Sequence, residues 1–255
     1  MACLFALLFL HISPSKASNA VLSAPQRLEY RVAWNHLRAA MACVAVHHGR
    51  LEGEDAYFVE ASAWTNRVVD VFWKFRGKAQ TTVSAGDLRP LRFSFDRTAN
   101  RRVESTWVEF DDAKNRARGV YVKNGKRKER EVELLDLADP LTAALRALTR
   151  PLAAGDEFAT KVFTGESLYV IDFKVLAEED VTVPAGRFAA YKVEPTVWKV
   201  TDEQRRDKRV RKTTLWVSRE TPRAVLRVRS EVFIGALTIE LLSWSKPLPP
   251  AAASP

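Results

Sequence analysis

The sequence predicts a mainly β protein: a long curved antiparallel sheet, forming a half-barrel or open barrel, with one short α-helix packed on it. Three observations carry this reading. Apolar residues recur with a period of two in seven runs between Leu28 and Trp244, turn-forming residues stand between runs, and a single segment has helical spacing.

From the N-terminus, Ala2 to Leu10 is unbroken and apolar, followed by the polar stretch His11 to Asn19, although no basic residue precedes Ala2. Such a run suits a signal-peptide core, whereas crossing a bilayer takes about 20 apolar residues. Residues 1–20 are therefore read as a signal peptide, with cleavage after Ala17 or Ala20, and the mature chain as exported to the periplasm and not membrane-spanning. No Pro/Gly/Ser-rich linker interrupts residues 21–245, which read as one β-rich domain. The tail 246–255, with four prolines and three consecutive alanines, is expected to be disordered.

The period-two runs are Leu28, Tyr30, Val32, Trp34; Tyr57, Val59, Ala61, Ala63; Val69, Val71, Trp73, Phe75; Leu91, Phe93, Phe95; Tyr169, Ile171, Phe173, Val175; and Leu237, Ile239, Leu241. The cleanest is Arg223 to Phe233, where Ala224, Leu226, Val228, Ser230 and Val232 alternate with Arg227, Arg229 and Glu231. One apolar face and one polar face mark a half-buried antiparallel strand. Asn124-Gly125 accepts the positive φ angles of a two-residue hairpin turn, and Pro184-Ala185-Gly186 marks a second hairpin. In Asp139 to Pro151, Asp139 caps, Pro140 takes the first helical position and Pro151 stops the helix. Leu141, Ala144, Leu145 and Leu148 form its apolar stripe.

The order of these motifs resembles a bacterial exported-protein family, domain of unknown function 3108, from about Leu28 to Trp244. The resemblance rests on Leu28-Glu29-Tyr30-Arg31-Val32, Asp139-Pro140-Leu141, the stretch Val181 to Phe188 with its Val-Pro-Ala-Gly-x-Phe core, Leu215-Trp216-Val217-Ser218 and Phe233 to Leu237. It departs from the family after the first strand, where glycines give way to His36-Leu37-Arg38, and at Arg219-Glu220, where an acidic pair is usual. The resemblance implies an exported, mainly β envelope protein with no established activity. Its architecture is similar to that of periplasmic lipoprotein carriers, whose half-barrels hold acyl chains.

Composition excludes several classes. At 255 residues, 47% hydrophobic and with only two cysteines, the chain needs no disulfide or structural metal to build a core. Removal of residues 1–20 leaves Cys43 alone, read as an unpaired core residue. Catalytic signatures such as GxSxG, HExxH and the P-loop are missing, no catalytic residue or cofactor is assigned, and His36, His47 and His48 are read as structural or solvent-facing.

The formal charge of +9 concentrates in two clusters, five cations in Lys123 to Arg130 at a hairpin tip and six in Arg205 to Lys212. Charged tips keep edges soluble. Their functional reading is contact with an anionic headgroup, through Lys126, Arg127, Lys128, Arg205, Arg206 and Arg209. Arginines alternating with core aromatics, as in Arg92-Phe93-Ser94-Phe95, are sheet patterning, so nucleic acid is not expected. The expected function is non-catalytic binding or carriage of an amphipathic anion such as a lipid. The alternative is a structural partner of another envelope protein, with a filled core and no ligand.

Overall fold

The computed structural model describes residues 26–201, 206–208 (backbone only), 212–232 and 235–245. The leader, the tail, Arg205 and Arg209 lie outside the described residues. In chain order the elements are β1 (Gln26–Trp34), β2 (Leu37–Leu51), β3 (Glu54–Thr65), α1 (Arg67–Asp70), β4 (Phe75–Ser84), β5 (Pro90–Ala99), β6 (Arg102–Asp111), β7 (Arg116–Lys123), β8 (Lys126–Glu133), β9 (Leu137–Ala138) and α2 (Pro140–Thr149). After them come β10 (Glu157–Phe163), β11 (Leu168–Val183), β12 (Gly186–Val200), β13 (Arg206–Lys208), β14 (Thr213–Ser218), β15 (Val225–Glu231) and β16 (Ala236–Ser245).

All the strands join one sheet. The meander β1 to β8 runs outward from β1 on one side, and pairing of β1 with β16 continues the sheet through β15, β14, β12, β11 and β10 to β9. Every described pair is antiparallel except the short β9–β10 pair. The edges β8 and β9 share no ladder, so the barrel-like sheet has an unsealed seam. Across it, the turn between β10 and β11 lies on β6 and β7. A Cβ added to Gly119 would stand 2.4 Å from the Gly165 carbonyl oxygen, and one added to Gly165 2.3 Å from Thr106 Cγ2. Only glycine permits this approach. Arg130 Nη1 donates to the Glu166 carbonyl at 3.3 Å across the same junction.

The expected alternation sets the concave face. Leu28, Tyr30 and Val32 of β1 stand in register with Val44, Ala42 and Ala40 of β2, and the row continues through Val59 and Ala61, Ala79 and Thr81, Phe93 and Val108. Helix α2 packs inside the sheet against β4, β9 and β10, burying Leu141, Ala144 and Leu145. Its start is as expected: Asp139 accepts from the Leu141 amide at 2.8 Å and the Thr142 amide at 3.0 Å, with Pro140 in the first turn. Asn124 (φ 48°) and Gly125 (φ 82°) form the expected tight hairpin turn.

The structure departs from the expectations at four places. Val69, Val71 and Trp73 are not in a strand. Asn66 instead caps α1, a second helix, by accepting from the Val69 amide at 2.9 Å, and β4 begins only at Phe75. The basic stretch from Lys126 is not a loop but strand β8 itself, the turn being Asn124-Gly125 alone. Cys43 is a buried free thiol, but it stands in register with Glu29 and Ser62 on the face opposite the core. The turn after β1 uses left-handed Asn35 and His36 where glycines were missing. Asn35 Oδ1 accepts from the Ala236 amide at 2.9 Å, in space that a Cβ on Gly235 would occupy.

Candidate functional site

Up-and-down strand order gathers the turns at two rims. The links β1–β2, β3–β4, β5–β6, β7–β8, β10–β11 and β15–β16 lie at one rim. The links β2–β3, β4–β5, β6–β7, β11–β12 and β14–β15 lie at the other, with the described ends Gln26 and Ser245.

The two rims differ in how their cations are used. At the second rim nearly every cation has a carboxylate: Arg50 with Asp55 (3.1 Å), Arg92 with Glu52 (2.6 Å), Lys114 with Asp111 (2.7 Å), Arg116 with Glu131 (3.1 Å), Arg187 with Asp180 (2.8 Å) and Arg219 with Glu178 (2.8 Å). At the first rim Arg38, Arg67, Lys74, Arg101, Arg102, Lys126 and Lys128 form no ion pair among the described residues. Exposed pairs contribute little stability, so the contrast matters for the field the protein projects. We call the first rim the basic rim.

Strand alternation splits the predicted cluster. Lys123 and Lys126 are register partners, as are Tyr121 and Lys128, and Gly119 and Arg130, so Lys123, Lys126, Lys128 and Arg130 share the concave face at the seam. Arg127 points the other way and is held by Glu129, its Nε 2.9 Å and Nη2 2.7 Å from Glu129 Oε1. Arg206 is described only as backbone of β13, paired with Val200 at the end of β12. The end of β12 at Val200 lies at the basic rim.

Behind the lysines the concave face turns polar. Arg97 Nε donates to Glu104 Oε2 at 2.8 Å, and Lys123 Nζ lies 3.5 Å from Glu104 Oε1. Burial disfavours the Glu104 charge, but hydrogen bonding and attraction from Arg97 outweigh it and hold the carboxyl below its ordinary range. Tyr121 is pushed the opposite way, upward, by burial and then by Glu166 and Glu104.

Between α2 and β1 to β3 a cavity lined by Leu28, Tyr30, Val44, Leu141, Leu145 and Leu148 measures about 60 Å³. Pockets for drug-sized ligands are about 300–1,000 Å³. A larger concavity, about 840 Å³, is an open groove on the convex face beside the basic rim, where Arg31 and Arg227 both pair with Glu240 at 2.8 Å and Arg38 and Arg229 line the sides.

The histidines follow the alternation: His47 stacks on Phe58 at 5.2 Å and His48 meets Tyr57 at 5.4 Å, on opposite faces. No cluster of three or more potential metal ligands occurs among the described residues. No helix among them is long and apolar enough to cross a membrane.

Sequence reading missed the β3–β4 link. Its residues Val68, Val71 and Phe72 are exposed, with Leu37 close by at the same rim. The available signal was Asn66 three residues before Val69, a helix cap, together with the adjacent pairs Val68-Val69 and Val71-Phe72, which break strict alternation. Asp70 anchors this link. Hydrogen bonds from Arg76 and then Thr65 hold its carboxyl at a pKa of about 2. The unfolded value is about 4. A depressed carboxylate stabilises the fold above its unfolded value and loses that share as pH falls through its folded one. A carbon-detected NMR titration should therefore place the Asp70 midpoint near 2, with α1 amide shifts following it; a midpoint near 4 would contradict the anchoring.

No match exists among curated proteins. Among solved structures, the chain is similar to a β-barrel-like protein of domain of unknown function DUF1849 from Brucella abortus, at 9% identity and TM-score 0.56, covering 87% of this chain and 97% of that one. It is also similar to a Bacteroides fragilis protein with a YmcC-like fold, at 9% identity and TM-score 0.39, covering 94% and 100%. A third is the hypothetical lipoprotein YmcC from Escherichia coli, at 12% identity and TM-score 0.31, covering 92% and 90%. The first likeness agrees with the barrel-like architecture described above. Residues 29–242 match the family described as protein of unknown function (DUF3108), and the chain belongs to that family.

Proposed function

We propose that this is an exported, non-catalytic envelope protein that binds anionic lipid headgroups at a membrane surface through its basic rim. The supporting observation is the contrast between rims: ion-paired cations at one, and seven cations without ion pairs among the described residues at the other, counted over Arg38, Arg67, Lys74, Arg101, Arg102, Lys126 and Lys128. Each Lys or Arg near an anionic surface contributes about 1 kcal/mol. Lys126 and Lys128, sharing one face beside Lys123, are the pair best placed to meet one headgroup.

The small cavity beside α2 supports contact at a surface over carriage of an extracted acyl chain there. A space of about 60 Å³ beside α2 is too small for such a chain. The tight packing beside α2 also suits the second reading, a structural partner of another envelope protein, and co-purification of protein without lipid would favour it.

Sedimentation with phosphatidylglycerol vesicles tests the proposal. Lys126→Ala/Lys128→Ala should weaken binding by about 2 kcal/mol, roughly thirtyfold, and raising salt should weaken it further. Arg92→Ala, at the opposite rim, should change nothing. Equal binding of the wild type to phosphatidylglycerol and phosphatidylcholine vesicles would overturn the headgroup reading.

A further inference from the structure

We propose that the β3–β4 link is a wedge that inserts into the bilayer, with Val68, Val71 and Phe72 entering the acyl boundary and the surrounding cations resting on headgroups. The membrane as partner comes from the reading above; the wedge itself rests on different residues.

The link is pinned on its polar side. The Asn66 amide donates to the Ala39 carbonyl at 3.0 Å, and Asn66 Nδ2 donates to the Arg38 carbonyl at 2.6 Å. Asp70 accepts from Arg76 Nη1 at 3.0 Å and Nη2 at 2.5 Å, and from the Thr65 hydroxyl. On the far side the Lys74 amide donates to Asn100 Oδ1 at 2.8 Å, and the Phe75 amide to Thr65 Oγ1 at 2.9 Å. These bonds use the local polar groups inward and leave the apolar side chains held outward: Val68, Val71 and Phe72 are 73%, 78% and 84% exposed, and Leu37 nearby is 70% exposed. An apolar cluster kept in water by a rigid frame marks an interaction surface.

Charge decides the occupant. Arg38, Arg67, Lys74, Arg101 and Arg102 sit on the same rim as the apolar cluster, and Trp34 and Trp64 are part-exposed there. Basic residues around an apolar tip, with aromatic side chains at headgroup level, fit an anionic bilayer surface. A second copy docked rim to rim would oppose like charges. The described ends Gln26 and Ser245 are at the other rim, so a bilayer under the basic rim meets neither.

The test uses the full chain with Cys3→Ser and Cys43→Ser and one new cysteine, Val71→Cys at the wedge or Glu52→Cys at the opposite rim, labelled with an environment-sensitive fluorophore. With phosphatidylglycerol vesicles the label at position 71 should shift to the blue and be quenched by brominated lipid, while that at position 52 stays unchanged. Val68→Ser/Val71→Ser/Phe72→Ser should weaken vesicle binding about tenfold or more, with the thermal midpoint unchanged because none of the three side chains packs in the core. Sedimentation with vesicles while the label at 71 stays in water would overturn the wedge and leave the headgroup reading standing. Failure to sediment at all would overturn both. A dimer in sedimentation velocity that the triple substitution dissolves would assign the patch to a second copy and overturn the wedge.

Discussion

Asp139→Ala should lower the unfolding free energy by about 3 kcal/mol, read as a fall in the urea midpoint with an unchanged slope. Asp139 is fully buried at the start of α2, where one carboxylate oxygen takes the Leu141 and Thr142 amides and the other takes the Thr142 and Thr81 hydroxyls. Loss of a helix N-cap alone costs about 1–2 kcal/mol. The rest comes from the hydroxyls. Thr81 retains the Arg92 carbonyl at 3.0 Å, but Thr142 is left with only Thr81, 3.3 Å away. Asp139→Asn should cost less than half as much, since its carbonyl oxygen still caps and the hydroxyls can turn to accept from its amide.

The pH dependence separates these variants further. Burial raises the Asp139 pKa, against the opposing hydrogen bonds from Thr142, Thr81 and Leu141. A raised carboxyl binds its proton more tightly folded than unfolded, so its contribution is whole below the unfolded value of about 4 and declines as pH rises through the folded one. The stability gap between wild type and Asp139→Asn should therefore narrow as pH rises above about 4. A gap constant from acid to neutral pH would show that the carboxyl ionises as freely in the fold as out of it.

Much of the fold was legible because it is locally encoded. Period-two spacing in β1, β3 and β15, the Asn124-Gly125 turn, and the Asp139-Pro140 helix start each depend on residues a few positions apart, and each appears where its chemistry places it. The joining of the two halves of the sheet was not legible in this way. Pairing of β1 with β16 joins Arg27 to Ser245, and no local feature marks either strand as the other's neighbour. The error at Val69 to Phe75 has the same root. Alternation predicts a strand only where a partner is available, and beyond Thr65 the β3–β4 ladder has ended, so a capped turn of helix wins. The candidate site was half legible. Alternation applied within the basic cluster would have put Lys126 and Lys128 on one face and Arg127 on the other. That seven cations of the basic rim form no ion pair among the described residues depends on which turns meet in space, which requires the sheet order.

The seam yields the second large effect, and it tests how the edges of this sheet are held. Gly119→Ala places a methyl 2.4 Å from the Gly165 carbonyl oxygen, a backbone atom that can yield only if the β10–β11 turn lifts away. Gly165→Ala meets Thr106 Cγ2 at 2.3 Å and adds the strain of φ +84°. Overpacking costs about 1–3 kcal/mol, and a left-handed non-glycine residue about 1–2 more, so Gly165→Ala should be the worse of the two. Both act by displacing the same turn, and the double variant should lose about 1 kcal/mol less than the sum of the singles. Thr106→Ser distinguishes the two clashes, because it removes the methyl that Gly165→Ala strikes but not the carbonyl that Gly119→Ala strikes. It should therefore rescue Gly165→Ala and leave Gly119→Ala unimproved in urea unfolding. No rescue of Gly165→Ala by Thr106→Ser, together with strict additivity of the pair, would mean that the turn does not bear on the strand in solution.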